Sequence, residues 1–264
     1  MSVIWLASYP KSGNTWVRFL LYSAIYGPAK NSPDIAKKIP DIHRPIPFDP
    51  PADGRLICKT HFAYTPKHPK AEQTEKAVLI VRDPRDVFFS ALNYRRLSGM
   101  TVSQMPDEAY AQRYIAAKGD PDFQSIGFGT WESHIRSWQE NGTFPVHTVK
   151  YEDLKSNPAE SILEIGAFIG HSFTAEQVDA AVKVSSFDSM RAMEIREKHQ
   201  QAKKPSASGK GQSLFIGTDS ARQSKTFFMN TGKTGQSLAS ISPAIERAFN
   251  AAFGPAMEAF GYSV

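Results

Sequence analysis

Four short apolar runs punctuate the chain: Val3–Ser8, Leu56–Lys59, Ala77–Val81 and Val146–Val149. Each is too short for a helix and rich in Val, Ile and Leu, without the strict polar alternation of a half-exposed strand. Such runs predict strands covered on both faces, as in parallel sheets. Helical spacing fills the intervals: Thr15–Tyr26, Pro84–Leu97, Asp107–Ala117 and Thr130–Glu140. Asn157-Pro158-Ala159-Glu160 opens a further helix with a capping side chain and Pro in the first turn. Thr174-Ala175-Glu176-Gln177 repeats the capped start ahead of Val178–Val184, and a last helix is expected over Pro243–Phe260. This alternation predicts an α/β fold: a single domain over residues 1–264 with a central parallel β-sheet flanked by helices and right-handed crossovers. Two stretches carry no period. Asn31–Gly54 holds six prolines and reads as an irregular surface excursion. Lys198–Lys225 sets Lys203, Lys204, Lys210, Arg222 and Lys225 among Ser, Gly and Gln, and reads as a mobile basic loop, either plain solvated chain or a cationic lid over an anion.

The junction after the first strand carries chemistry. Tyr9-Pro10-Lys11-Ser12-Gly13-Asn14-Thr15-Trp16 separates the strand from the helix that follows. Free N–H groups of a first helical turn, together with the helix dipole, attract anions. Gly13 lets the backbone approach such a group, and Lys11 adds a full charge. The nucleoside-triphosphate loop G-x-x-x-x-G-K-[ST] places its Lys after the second Gly. Here Lys11 precedes Gly13.

A second junction follows the third strand, in Val81-Arg82-Asp83-Pro84-Arg85-Asp86-Val87-Phe88-Phe89-Ser90. Ligands of open α/β sheets collect at the carboxyl ends of strands. Arg82 offers a forked donor to a phosphate there, and Ser90 lies within reach of the same oxygens. The plainer reading of this stretch is a surface ion pair between Arg82 and Asp86.

Taken together, the two junctions resemble the donor-binding motifs of the 3′-phosphoadenosine-5′-phosphosulfate (PAPS)-dependent sulfotransferases. Y-P-K-S-G-T-T-W is that family's usual first loop, and R-[DN]-P-x-D-x-x-x-S its second motif. The resemblance implies a P-loop-kinase-like sulfotransferase fold. It also implies that Lys11, Ser12, Gly13, Asn14 and Thr15 hold the 5′-phosphosulfate and that Arg82 and Ser90 hold the 3′-phosphate. Asn14 departs from the usual Thr but is still able to donate to an anion. Lys59-Thr60-His61 resembles the family's K-T-H, whose His is the general base. Tyr151-Glu152-Asp153-Leu154 and Ser185-Ser186-Phe187 resemble Y-E-D-[LM] and T-S-F, which place Tyr151, Ser185 and Phe187 against adenine, with Trp16 as the second stacking ring. Each of these aromatics also reads as an ordinary core residue. The family's R-K-G-x-x-G-x-W is altered here to Asn230-Thr231-Gly232-Lys233-Thr234-Gly235-Gln236-Ser237. Both glycines are kept, so that contacts from Asn230, Thr231 and Gly232 to the 3′-phosphate would persist through the backbone. Lys233 or the basic loop would replace the missing cations.

Composition adds limits. Charged residues make up 22% and hydrophobic ones 41%, ordinary globular usage. The net charge of +5 suits a polyanionic ligand. No basic run with interleaved aromatics and no zinc spacing points to nucleic acid. A lone cysteine, Cys58, excludes an internal disulfide. No apolar stretch has a membrane-spanning length, and the N-terminus lacks a signal-peptide pattern. A cytoplasmic protein with a small-molecule acceptor is expected, without membrane or nucleic-acid partners. A homodimer is left open.

The expected reaction is in-line sulfuryl transfer from PAPS to an acceptor hydroxyl or amine, releasing 3′,5′-adenosine bisphosphate (PAP). His61 takes the acceptor proton, Lys11 neutralises charge on the bridging oxygen, and Lys59 assists at the 5′ end. No metal is expected. The alternatives are an ATP-dependent small-molecule kinase and a non-catalytic adenine-nucleotide binder. The acceptor pocket is expected from Asn31–Gly54, Phe62–Lys70 and Asn93–Phe128, with Pro45, Phe48, Phe62, Tyr64 and Tyr94 as its apolar wall.

Overall fold

In a computed structural model that describes residues 1–44, 47–98, 105–202, 215 and 226–264, four strands form one parallel sheet in the order β2-β1-β3-β4. They are β1 (Ser2–Ser8), β2 (Arg55–Thr60), β3 (Thr74–Val81) and β4 (Val146–Lys150). The expected strands are all present. β3 begins earlier than its apolar run because Thr74 and Lys76 pair with β1 on either side of a register shift at Glu75, at a half-exposed end.

Alternate residues of the two central strands enter opposite cores. Val3, Trp5 and Ala7 of β1 join Ala77, Leu79 and Val81 of β3 on one face. Ile4 and Leu6 join Val78 and Ile80 on the other. This double burial explains the continuous apolar runs. The first face is covered by α3 (Pro84–Ser98), α4 (Asp107–Ala116), α6 (Trp131–Gln139) and α11 (Pro243–Ala259), through residues such as Phe88, Tyr114, Trp131 and Phe249. The second is covered by α1 (Asn14–Tyr26), α8 (Pro158–Ile169) and α9 (Ala175–Val184), through Leu20, Ile165 and Val178. Each such fully buried side chain contributes about 1.5–3 kcal/mol. Cys58 lies buried within β2 as a small apolar residue.

Helix starts follow the expected grammar. Asn157 caps α8 with Pro158 behind it, and Thr174 caps α9 in a reciprocal box with Gln177. Short helices α5 (Pro121–Ser125) and α7 (Tyr151–Ser156) were not expected. Two further helices correct the sequence reading. Residues 31–54 are not wholly irregular, for Asn31 caps α2 (Ser32–Lys38) by accepting from the Asp34 N–H, with Pro33 in its first turn. Lys198 belongs not to a basic loop but to α10 (Phe187–Ala202). Phe215 is buried and stacks on Phe19 at 5.4 Å. Lys203, Lys204, Lys210, Arg222 and Lys225 lie outside the described residues. Among the described residues, no helix is long and apolar enough to cross a membrane.

Candidate active site

Strand order fixes where the site forms. The crossover after β1 runs to β2 on one side, whereas the one after β3 runs to β4 on the other. Connections leaving adjacent strands in opposite directions open a crevice at their carboxyl ends. The register then sets four motifs side by side. Ala7 pairs with Thr60, so Ser8 lies beside His61. Ser8 pairs with Ile80, which brings Arg82 to the first loop. Val81 pairs with Lys150, which sets Arg82 beside Tyr151.

The first loop is a tight, strained cradle. Lys11 has φ 73° and Gly13 φ 102°, both in the left-handed region. For Lys11 this conformation costs about 1–2 kcal/mol, and such strain is concentrated at functional sites. Gly13 precedes α1, and its C=O accepts the Trp16 and Val17 N–H groups at 2.9 and 3.2 Å. A Cβ at position 13 would stand 2.5 Å from Tyr151 Cδ2. Gly13→Ala should therefore lose about 2–4 kcal/mol of stability. Differential scanning calorimetry should show a midpoint roughly 5–10 °C lower; an unchanged midpoint contradicts this packing.

Ser12 is buried, and its Oγ has no partner among the described residues. Asn14 departs from the sequence expectation. Its side-chain amide donates to Leu6 O at 2.9 Å and Ser8 Oγ at 3.2 Å, so it braces β1 rather than facing an anion. Thr15 is half-buried in the first turn of α1. Trp16 meets Tyr151 edge-on at 5.5 Å.

The Lys11 ammonium lies over two rings, 4.4 Å from Tyr94 and 4.1 Å from Phe228. It has no ion-pair partner among the described residues. Burial, reinforced by the charges of Lys59 and Arg82, lowers its pKa to about 7. Lys59 is otherwise engaged. Its Nζ donates to Asp41 Oδ2 at 2.6 Å, and burial lowers its pKa to about 8 against the opposing pull of Asp41. Lys59 thus faces the Lys11 side of the crevice already neutralised by a carboxylate.

His61 is oriented by a short contact of Nδ1 with Ser8 O at 2.8 Å. A carbonyl only accepts, so Nδ1 is assigned the proton and Nε2 keeps its lone pair. Burial, then the Lys59 charge, holds the imidazole pKa well below 6.5. The His61 imidazole is therefore neutral at pH 7.

Arg82 is buried but does not pair with Asp86. It donates from NH1 to Lys11 O at 3.3 Å and from NH2 to Lys233 O at 2.9 Å, and its guanidinium lies 4.1 Å from the Tyr151 ring centre. Its Nε has no partner among the described residues. Asp86 instead accepts the Gly235 and Gln236 N–H groups, both at 3.1 Å. The Gly235 amide, one of the two glycines of the altered stretch, is thereby used within the protein. Ser90 is half-buried one turn beyond Asp86 on the same side of α3 and has no hydrogen-bond partner among the described residues.

Ser185 is buried, and its Oγ is unpartnered among the described residues. Phe187 is 37% exposed and lies across Gly232, whose added Cβ would be 2.9 Å from the ring. Asn230 and Thr231 are exposed. Of the expected acceptor wall, Phe62 packs beside His43 and Phe128, and Tyr94 lies under Lys11. Tyr64 packs with Trp138 and Phe144 in the core, Phe48 is exposed, and Pro45 lies outside the described residues.

Several contributors carried no sequence signal. Glu194 is fully buried and accepts the N–H groups of Phe228 and Met229 at 2.6 and 2.9 Å, which fastens Phe228 over Lys11. Lys155 donates to Gly232 O at 2.7 Å. Only its place just after Tyr151-Glu152-Asp153-Leu154 could have suggested it.

The α/β fold thus brings the first loop, the buried Arg82 and the neutral His61 together at one sheet edge. The sulfotransferase domain family matches residues 2–261, and the chain belongs to that family. It is 28% identical over 272 residues to sulfotransferase 1A1 of the dog Canis lupus familiaris, covering 98% of this chain and 84% of that protein. The match to the Mus musculus sulfotransferase 1A1, also 28% identical, covers 70% of this chain and 66% of the mouse protein. In structure it is similar to mouse sulfotransferase SULT7A1 complexed with PAP, with a TM-score of 0.63, 23% identity and coverage of 97% of this chain and 84% of that one. It is likewise similar to retinol dehydratase in complex with androsterone and inactive cofactor PAP, with a TM-score of 0.65, 15% identity and coverage of 99% and 82%.

Proposed function

We propose that this sulfotransferase uses PAPS and moves its sulfuryl group to a hydroxyl or amine of a small acceptor by in-line displacement, with His61 as base. One observation carries the reading: Ser12 Oγ, Arg82 Nε and Ser185 Oγ are buried polar atoms without partners among the described residues, each within a motif that resembles one of the family's donor-binding motifs. Buried polar groups are ordinarily hydrogen-bonded. A nucleotide with a phosphate at each end satisfies donors at Ser12, Arg82 and Ser185 together.

The residues divide the work. Ser12, Thr15 and the N–H groups opening α1 hold the 5′ end, with Asn14 bracing the loop from behind. Arg82 and Ser90 hold the 3′-phosphate, with the backbone of Asn230, Thr231 and Gly232 closing over it. Trp16, Tyr151 and Phe187 frame the adenine, a stacking contribution of about 1–3 kcal/mol per face. When bound, the donor supplies an activated sulfuryl group whose bond to the bridging oxygen breaks as the acceptor attacks sulfur. His61 Nε2 takes the acceptor proton, and Lys11 receives the negative charge left on the bridging oxygen. Lys59, held by Asp41, contributes its field rather than a direct contact. That the structurally similar mouse SULT7A1 and retinol dehydratase are each complexed with PAP supports this donor over ATP.

Titration calorimetry with PAP tests the reading, with ATP and magnesium as the contrast. PAP should bind and PAPS should support turnover; turnover with ATP alone would remove the proposal. The pH dependence has a definite sign. A bound anion raises the Lys11 pKa above its ligand-free value of about 7. Binding therefore takes up a proton above pH 7, and PAP affinity should fall as pH rises, by up to about tenfold per pH unit until the bound-state pKa is reached. A flat profile from pH 7 to 9 overturns the Lys11 contact.

A further inference from the structure

We propose that His43 is a positioning residue for His61, fixing it through a hydrogen bond to its backbone. The inference rests on the base assignment above and extends it to a residue within a stretch that read as irregular. Residues 40–43 run beside the end of β2 like a short added strand. The Lys59 N–H donates to Pro40 O at 2.8 Å and the Ile42 N–H to Lys59 O at 3.1 Å, with Asp41 bridged in parallel to Lys59. Asp41 has two tasks there: one oxygen accepts Lys59 Nζ, and the other accepts the His43 N–H at 3.0 Å. The turn so fixed delivers His43 Nε2 to the His61 N–H at 2.8 Å.

This contact determines the state of the His43 ring. A backbone N–H only donates, so Nε2 is the unprotonated nitrogen and Nδ1 carries the hydrogen. Burial, reinforced by Lys59, lowers the His43 pKa to about 4, in keeping with an imidazole that accepts at neutral pH. The two imidazoles lie nearly parallel, 5.7 Å apart with 16° between planes, and Phe62 and Phe128 hold His43 from the other sides at 4.4 and 4.9 Å. His61 is thus gripped twice, by Ser8 at its ring and by His43 at its main chain. Without the second grip, the chain leaving β2 is free to rotate the ring. Displacement of a reacting group by about 1 Å costs on the order of a hundredfold in rate.

Three substitutions separate acceptor from ring. His43→Phe keeps an aromatic plate and removes the acceptor, His43→Gln supplies an amide oxygen near the Nε2 position, and His43→Ala removes both. Expected are a kcat for His43→Phe and His43→Ala roughly ten- to a hundredfold below wild type, a His43→Gln value within about fivefold of wild type, and PAP affinity within about twofold throughout. Nuclear magnetic resonance gives a readout independent of turnover: the His61 amide proton should move upfield and exchange faster in His43→Phe but not in His43→Gln. Equal kcat for His43→Phe and wild type overturns the proposal, as does equal impairment of the Phe and Gln variants. Should His61→Ala retain full turnover, the base assignment fails on its own, while the amide signature still reports whether His43 grips position 61. In the His61→Ala background, His43→Phe should cost nothing further in rate.

Discussion

His61→Ala is expected to lower kcat by roughly 10²–10⁴-fold while leaving PAP affinity within about twofold of wild type. The split follows from geometry. Among the described residues His61 contacts Ser8, His43 and Phe128 but no side chain of the 11–15 loop, so its loss should remove the proposed proton acceptor and spare the proposed donor site. The pH profile makes the assignment sharper. Because burial holds the imidazole pKa well below 6.5, the acid limb of kcat/KM should fall well below pH 6.5 rather than near the usual histidine value. Turnover equal to wild type in the variant, or an acid limb at 6.5, removes His61 as the base.

Arg82→Ala is the second large effect. Its guanidinium contacts the main chain of the first loop at Lys11 and of the C-terminal segment at Lys233, and packs on Tyr151. A charge-assisted hydrogen bond is worth about 1.5–3 kcal/mol, so PAP should bind roughly ten- to a hundredfold more weakly. Arg82→Lys retains the charge but lacks the fork and should recover only part of the loss. An unchanged dissociation constant for Arg82→Ala would remove the 3′-phosphate assignment. The variant's folding can be followed separately by calorimetry, since the same side chain also ties two backbone segments together.

Three strands were legible because burial leaves apolar runs; the edge strand β4, in which only Val149 is buried, was read from its two valines. The helices read from their caps matched as well. The two longer helices that escaped show what the pattern lacks. α2 uses the same Asn-plus-Pro start as α8, but proline density around it masked the signal. α10 has no apolar stripe, since its buried side chains include Glu194, Glu197 and Lys198 beside Met190 and Met193. A helix that buries charge against backbone partners has no hydrophobic period to find.

The site divides in the same way. Lys11, Gly13, His61 and Arg82 stand at strand ends, where chain order and register bring them together. Asn14 was placed in the right loop, but its side chain turns inward because Leu6 O and Ser8 Oγ offer partners there. Lys59 is expected from the sequence to assist at the 5′ end, but Asp41, eighteen residues earlier, pairs with it. The plainer reading of the second junction paired Asp86 with Arg82, but Asp86 holds Gly235 and Gln236 instead. Pairings across such distances depend on tertiary contacts that local spacing does not encode.

The buried position of Cys58 has a practical outcome. Burial pushes its thiol up to about 12, so at neutral pH the reactive thiolate is only on the order of one part in 10⁵. The native protein is thus effectively silent toward maleimides. A cysteine introduced at exposed Lys233 would be a unique attachment point, and a fluorophore there would report in real time on motion of the segment that Arg82 and Asp86 hold down.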